Sequence, residues 1–323
     1  MNQLRDISMD KAFAGSCGIT EPELTAAFEP EILGLAEEQK MTPEEALAEM
    51  RKRYNGYRFA PGAEPVYNPF SVLSTLVSQT FGYYWFQTGT PTFLIKQIKN
   101  ARFNMPDFTN GVSIPAQSIY DYRAKGDNPV PLLYQTGYLT IKDYDPRLME
   151  YILGFPNEEV KYAFLNEILN AYLPKAPNLW GLSVGDFVKD LWKRDIDAFM
   201  TRLKSLIASM PYGVKSEETE NWFQTVVYLL FVLLGQFVQA EAHSHKGRAD
   251  AVVITDDSVY VFEFKITGGK ADKSEKTAQD ALKQIEEKDY MAPYRASGKR
   301  LVKIGAVYNT MERELDKIKI QEE

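Results

Sequence analysis

Two apolar runs separated by a pair of aspartates constrain this chain more than any other segment. The first, 248–255, follows Gly247 and carries Arg248, Ala249 and Asp250 ahead of its valines. The second, 258–265, contains Val259-Tyr260-Val261-Phe262-Glu263-Phe264-Lys265. Short runs rich in β-branched and aromatic residues read as neighbouring strands, here joined by a tight turn at Asp256-Asp257. Alternation along the second strand puts Val259, Val261, Glu263 and Lys265 on one face, and Tyr260, Phe262 and Phe264 on the other. The pairing brings Asp250, Glu263 and Lys265 to one edge of a sheet. Carboxylates inside apolar strands are costly when unpaired, so each requires a partner or a cation. Two carboxylates and an ammonium so placed can hold a hard divalent cation with a water poised beside it, which is the chemistry of phosphodiester hydrolysis. An acid and a lysine at a strand end also form ordinary solvated salt bridges, and the spacing alone does not separate the two readings.

The 323 residues are enough for two domains, and a hydrophobic fraction of 45% fits a folded chain. Disorder is expected only at terminal residues such as Gln321-Glu322-Glu323. A single cysteine, Cys17, excludes an internal disulfide, fits a reducing compartment and reads as a small buried or half-buried residue. The polar N-terminus MNQLRDISMD carries no secretory signal. The longest apolar run, Val226 to Leu234, is shorter than the roughly 20 residues of a membrane helix and reads as a buried core helix. A soluble, cytoplasmic protein with no membrane partner is expected. The net charge is −7, and residues 211–323 carry 16 Lys+Arg against 19 Asp+Glu, or −3. This argues against coating nucleic acid by bulk electrostatics. It leaves room for acids clustered at a metal and bases lining a groove.

Residues 1–105 read as mostly helical, with starts at Thr20-Glu21-Pro22-Glu23 and Thr42-Pro43-Glu44-Glu45. Asn55-Gly56 marks a tight turn. Helices are expected near 70–79 and 92–101; the pattern turns more strand-like from about 113 to 145, with a helix end, a turn and a strand over Leu132 to Ile141 and a partner strand at 148–154; helices follow over 157–174 and 185–209. Pro211-Tyr212-Gly213 is the predicted boundary between a mostly helical region, 1–210, and a second domain, 211–323. The second domain reads as helix (217–235), strands (236–243, 248–255, 258–266), helix (273–289) and strand (301–308). The fold class is therefore α/β, or α+β overall.

The GRAD, VFEFK and ALKQIEEKDY segments, in this order and spacing, resemble the PD-(D/E)XK nuclease superfamily. More narrowly, they are similar to prokaryotic proteins that join such a nuclease to an upstream AAA-ATPase-like domain. The motifs Ile7-Ser8-Met9, Cys17-Gly18-Ile19-Thr20-Glu21, YNGYRF, VYNPFS and YYWFQTGTPTFL resemble the later part of that ATPase-like region. The resemblance implies a restriction-endonuclease-like αβββαβ core in 211–323. It makes Asp250, Glu263 and the backbone carbonyl of Phe264 ligands of Mg²⁺ or Mn²⁺. It gives Lys265 the role of orienting water or stabilising phosphate charge, Glu220 that of an extra helix acid, and Gln284 that of a supporting helix residue. Glu220 also suits a helix N-terminus on dipole grounds alone. Lys288 and Tyr290 match family positions without a derivable role.

His243 and His245 are the only histidines and share one strand face, but no cysteine or third histidine completes a zinc set. Glu241 on the same strand could assist the metal or pair with Arg248. Gly268-Gly269-Lys270 reads as a flexible turn. No G-x-x-x-x-G-K-[ST] occurs, so no ATP binding is expected, and Met1 falls where the family's ATPase-like region is already under way. A naturally short member or a fragment would account for that. The expected activity is a divalent-metal-dependent nuclease acting on DNA or RNA. The alternative is a catalytically inactive module that keeps the nuclease fold and works with a protein partner, engaged through the N-terminal region.

Overall fold

The computed structural model describes residues 6–88, 92–100, 105–120, 128–173, 183–211, 214, 218–243, 248–268 and 271–323. The chain forms two compact units, Met1–Glu167 and Ile168–Glu323. Among the described residues no helix is long and apolar enough to cross a membrane.

In the first unit, helices start where short polar side chains satisfy free backbone N–H groups. Thr20 and Thr42 form capping boxes with Glu23 and Glu45, each with a proline in the first turn, and open α1 (Glu21–Ala27) and α3 (Pro43–Tyr54). Between them lies α2 (Glu29–Gln39), and Asn68 caps α4 (Pro69–Ser78). Leu24, Ile32, Leu35, Met50, Tyr54, Tyr67, Val72 and Leu76 from these helices and their connections form one core. Then follow α5 (Thr92–Asn100), α6 (Met105–Asn110), β1 (Val112–Pro115), α7 (Val130–Gln135), β2 (Thr140–Asp145), β3 (Glu150–Gly154) and α8 (Glu158–Tyr172), within which the boundary between the units falls. The strands make an antiparallel sheet in the order β1-β3-β2.

The second unit contains α9 (Val184–Trp192), α10 (Ile196–Ala208), α11 (Thr219–Leu234), β4 (Gln239–Ala242), β5 (Ala251–Ile254), β6 (Ser258–Thr267), α12 (Ala271–Glu287), β7 (Arg300–Asn309) and β8 (Glu314–Glu322). Its five strands are ordered β4-β5-β6-β7-β8, antiparallel except for the β6–β7 pair. The alternation read along β6 is present. Val259 and Val261 pack with Leu282 and Ile285 of α12. Phe262 and Phe264 meet Phe231 and Phe223 of α11, and the Tyr260 hydroxyl donates to the Leu191 carbonyl at 3.3 Å. The Asp256-Asp257 turn is tied by Thr255 and Ser258, whose backbone and hydroxyl groups bond each other and Asp257.

Four expectations are corrected. Residues 185–209 form two helices, because Arg194 takes a left-handed φ of 57° and Asp195 caps α10 by accepting from the Ala198 N–H. The C-terminal residues are ordered in β8, which pairs with β7 out to Glu322, and Glu323 accepts from Arg295. Cys17 is exposed. Asn55-Gly56 makes no tight turn: Asn55 ends α3, and Gly56 (φ +114°) lies so close to Pro156 that a Cβ would sit 2.1 Å from its carbonyl oxygen. Tyr212, Gly213, His245, Gly247, Gly269 and Lys270 lie outside the described residues. Gly56→Ala combines overlap with a rigid carbonyl and a disfavoured φ, so its urea midpoint should fall by the equivalent of about 2–3 kcal/mol.

Candidate active site

Strand register sets the site. Ala251 pairs with Phe262, so Asp250 falls one step beyond, opposite Glu263. His243 donates its backbone N–H to the Asp250 carbonyl at 2.9 Å. Across the parallel pair Glu263 faces Gly305, and Gly305 faces Lys319. Because side chains alternate, His243, Asp250, Glu263, Gly305 and Lys319 make one row on the α12 side of the sheet. Lys265 stands two residues along β6 on the same face.

Asp250 precedes β5 rather than lying within it. Its Oδ2 accepts the Phe264 N–H at 2.7 Å, taking the bond that another strand residue would otherwise provide. In a strand the N–H and C=O of one residue point to the same side. The Phe264 carbonyl is therefore presented on the side of the Asp250 carboxylate.

Glu263 is 3% exposed, on a strand face that otherwise carries Val259, Val261 and Lys265. Its Oε1 accepts from the Lys265 ammonium at 2.9 Å and from the Gln284 amide of α12 at 2.5 Å. Gln284 also accepts from Lys265 through Oε1, so one side chain bridges the acid and the base. Tyr290 accepts from the same amide nitrogen at 3.5 Å. Glu263 Oε2 is buried and has no hydrogen-bond partner among the described residues. Burial first, and then the charge of Asp250, push the Glu263 carboxyl up to about 7 against the opposing pull of Lys265. Burial likewise raises Asp250, opposed by the Phe264 N–H, Lys265 and His243.

A buried acid and a half-buried one forced together, the first with an orphaned oxygen, fit a cation better than they fit each other. The available donors are hard oxygens, which suit Mg²⁺ or Mn²⁺. Among the described residues, no group of three or more His, Cys, Asp and Glu side chains gathers to hold a metal, so a carbonyl or water has to complete such a shell.

Glu220 is exposed in the first turn of α11 and accepts from Gln224 at 3.2 Å. No contact among the described residues joins it to Asp250 or Glu263. His243 pairs with Glu241 at 3.3 Å. Lys288 is exposed, one turn past Gln284.

Gly305 was not singled out from sequence. A Cβ there would lie 2.8 Å from the Ala278 carbonyl and 3.2 Å from the Leu282 nitrogen, both in the α12 backbone. Its hydrogen lets α12 approach the row and carry Gln284 to Glu263. A glycine inside the apolar run 301–308 was the available signal.

These features define a paired-carboxylate and lysine site on a mixed five-stranded sheet. Residues 218–318, from the start of α11 into β8, match the PD-(D/E)XK nuclease superfamily. Over 319 residues the chain is 32% identical to an uncharacterised protein of the vnfD 5′ region in Azotobacter chroococcum mcd 1, covering 96% of this chain and 57% of that protein. The chain thus spans little more than half the length of that relative. No solved structure matches the chain.

The raised Glu263 carboxyl has a measurable consequence. An acid with a folded pKa of about 7 against 4.5 unfolded binds its proton more tightly in the native state. Its stabilising effect is therefore complete below 4.5 and is lost as pH rises towards 7, by up to about 3 kcal/mol. In metal-free buffer with EDTA, wild type should lose stability over that window relative to Glu263→Gln, as read by urea unfolding. Saturating Mn²⁺ should reduce the loss.

Proposed function

We propose that residues 211–323 form a divalent-metal-dependent nuclease that hydrolyses phosphodiester bonds in DNA or RNA, built on the restriction-endonuclease-like core. The observation that carries this reading is the buried, unpartnered Oε2 of Glu263 beside Asp250, with Lys265 held 2.9 Å from the same carboxylate. The superfamily match over 218–318 supports it independently.

Asp250, Glu263 and the Phe264 carbonyl would hold Mg²⁺ or Mn²⁺. When bound, such an ion lowers the pKa of water and offsets charge on a phosphoryl oxygen. Lys265 is the group that would orient the attacking water or neutralise charge growing on the phosphate. Gln284 holds Lys265 and Glu263 in register with each other, and the Phe264 N–H fixes the Asp250 carboxylate. Glu220 is assigned as an additional helix acid on family resemblance. The N-terminal region, 1–210, is read as a platform resembling the later part of an AAA-ATPase-like domain, suited to a protein partner. The single cysteine fits a reducing, cytoplasmic setting.

A second reading, an inactive module that keeps the fold, draws on the acidic balance of 211–323 and on the lack, among the described residues, of any group of three His, Cys, Asp or Glu able to hold a metal. Metal binding separates the two. Calorimetry of the full chain should show Mn²⁺ binding that Asp250→Ala abolishes. With Mg²⁺ or Mn²⁺, wild type should cleave single- or double-stranded DNA or RNA, and Lys265→Ala should slow cleavage by on the order of a hundredfold or more. Cleavage that is absent, or unchanged in Lys265→Ala, refutes the catalytic reading. Metal binding that is absent or indifferent to Asp250 favours the inactive module.

A further inference from the structure

We propose that Arg58 and Lys142 form a binding site for a phosphate oxyanion on the N-terminal unit. The site is independent of the acids on the C-terminal sheet and of the nuclease reading.

The backbone is arranged to bring these two cations together. Arg58 is pinned by one buried hydroxyl: Thr140 Oγ1 accepts the Arg58 N–H at 2.7 Å and donates to the Arg58 carbonyl at 3.0 Å. Two residues before Arg58, Gly56 lies directly against the Pro156 carbonyl. Lys142 is the extra residue of a β-bulge, since Ile141 pairs with Leu153 and Asp143 with Ile152. Bulges re-aim side chains and occur beside functional sites. Here the lysine stem is laid across the neighbouring strand at Gly154, where a Cβ would be 3.2 Å from Lys142 Cγ and 3.4 Å from Cε. Its Nζ then reaches the Pro156 carbonyl at 3.2 Å. The guanidinium completes the cluster by donating from Nη1 to the Lys142 carbonyl at 3.3 Å.

The electrostatics of this cluster are incomplete. Neither cation has a carboxylate partner among the described residues, and Arg58 Nε is buried with no acceptor. Partial desolvation first, and then the neighbouring Arg58 charge, push the Lys142 ammonium down to about 8, while the residue as a whole keeps an exposed surface. A structure that holds two cations together without an acid raises its own energy, and a bound anion offsets that cost. Lys142 stays exposed and Arg58 half-exposed, so a ligand can reach both. A planar, half-exposed guanidinium beside a compact ammonium suits a phosphate group, which offers several acceptor oxygens. That group could belong to a small phosphorylated molecule or to a nucleic-acid backbone; the chemistry at the site is the same.

The test uses the full chain in EDTA, so that no hydrolysis occurs, with inorganic pyrophosphate and a short single-stranded DNA as separate titrants. At least one should bind, and Arg58→Gln and Lys142→Gln should each weaken that binding at least about tenfold. Pyrophosphate binding points to a small ligand, and binding of the oligonucleotide alone points to a backbone phosphate. Failure of both titrants to bind wild type overturns the proposal, as does binding that neither substitution weakens. Thermal unfolding of each variant shows whether it is folded. Should Arg58→Gln not fold, the exposed Lys142→Gln decides the outcome alone.

Discussion

Strand β6 is hydrogen-bonded to β7 along its whole length, from Ser258↔Arg300 to Thr267↔Asn309, and the organisation of the C-terminal unit rests on that parallel ladder. A parallel pair cannot be closed by a tight turn, so the chain leaves the sheet and returns through α12. The helix thereby covers one face of β6, while α11 covers the other. The aromatic residues Phe262 and Phe264 are committed to the α11 side. Glu263 is left facing the crossover helix, in a position where water cannot solvate it. The same crossover that buries the acid delivers Gln284 to it. Gly305 sets how closely the helix can approach.

The two acids are held differently, and the difference follows from their backbones. Asp250 lies where β5 has yet to begin, and its carboxylate is fixed by a main-chain donor. Glu263 lies within an unbroken strand and is held by side chains. One acid is therefore as rigid as the sheet, while the other depends on rotamers of Lys265 and Gln284. Mutual repulsion raises the cost of charging both acids, and the shared lysine lowers it only in part. The arrangement is a poor salt bridge, and that is why a cation is proposed for it.

Much of this was legible in sequence. The alternation of Val259 to Lys265 and the Asp256-Asp257 turn follow from local pattern, and local pattern is what a strand face records. Gln284 was recognisable through a resemblance, because its contact with Glu263 spans 21 residues and has no periodic signature. β8 was missed because its residues alternate with charges and end at the terminus. The break at Arg194 was missed because an arginine in a left-handed conformation leaves no compositional trace. Lys142 and Arg58 lie 84 residues apart, and a bulge in β2 decides their meeting, so neither residue type nor spacing announces it. The placement of Glu220 relative to the acids was no more legible, for it depends on how α11 lies on the sheet.

The borders of the five-stranded sheet carry a consequence for the behaviour of the protein in concentrated solution. β4 is only four residues long and includes Glu241, while β8 alternates Lys317 and Lys319 with Ile318 and Ile320 and meets β7 through an irregular register. Short length, lysines and a local irregularity are the devices that keep an exposed strand border from templating another chain. The long, apolar, aggregation-prone strands β6 and β7 are both interior. Fibril-like growth from this sheet would thus have to begin from a partly unfolded unit, which ties its resistance to aggregation to the integrity of two modest outer strands.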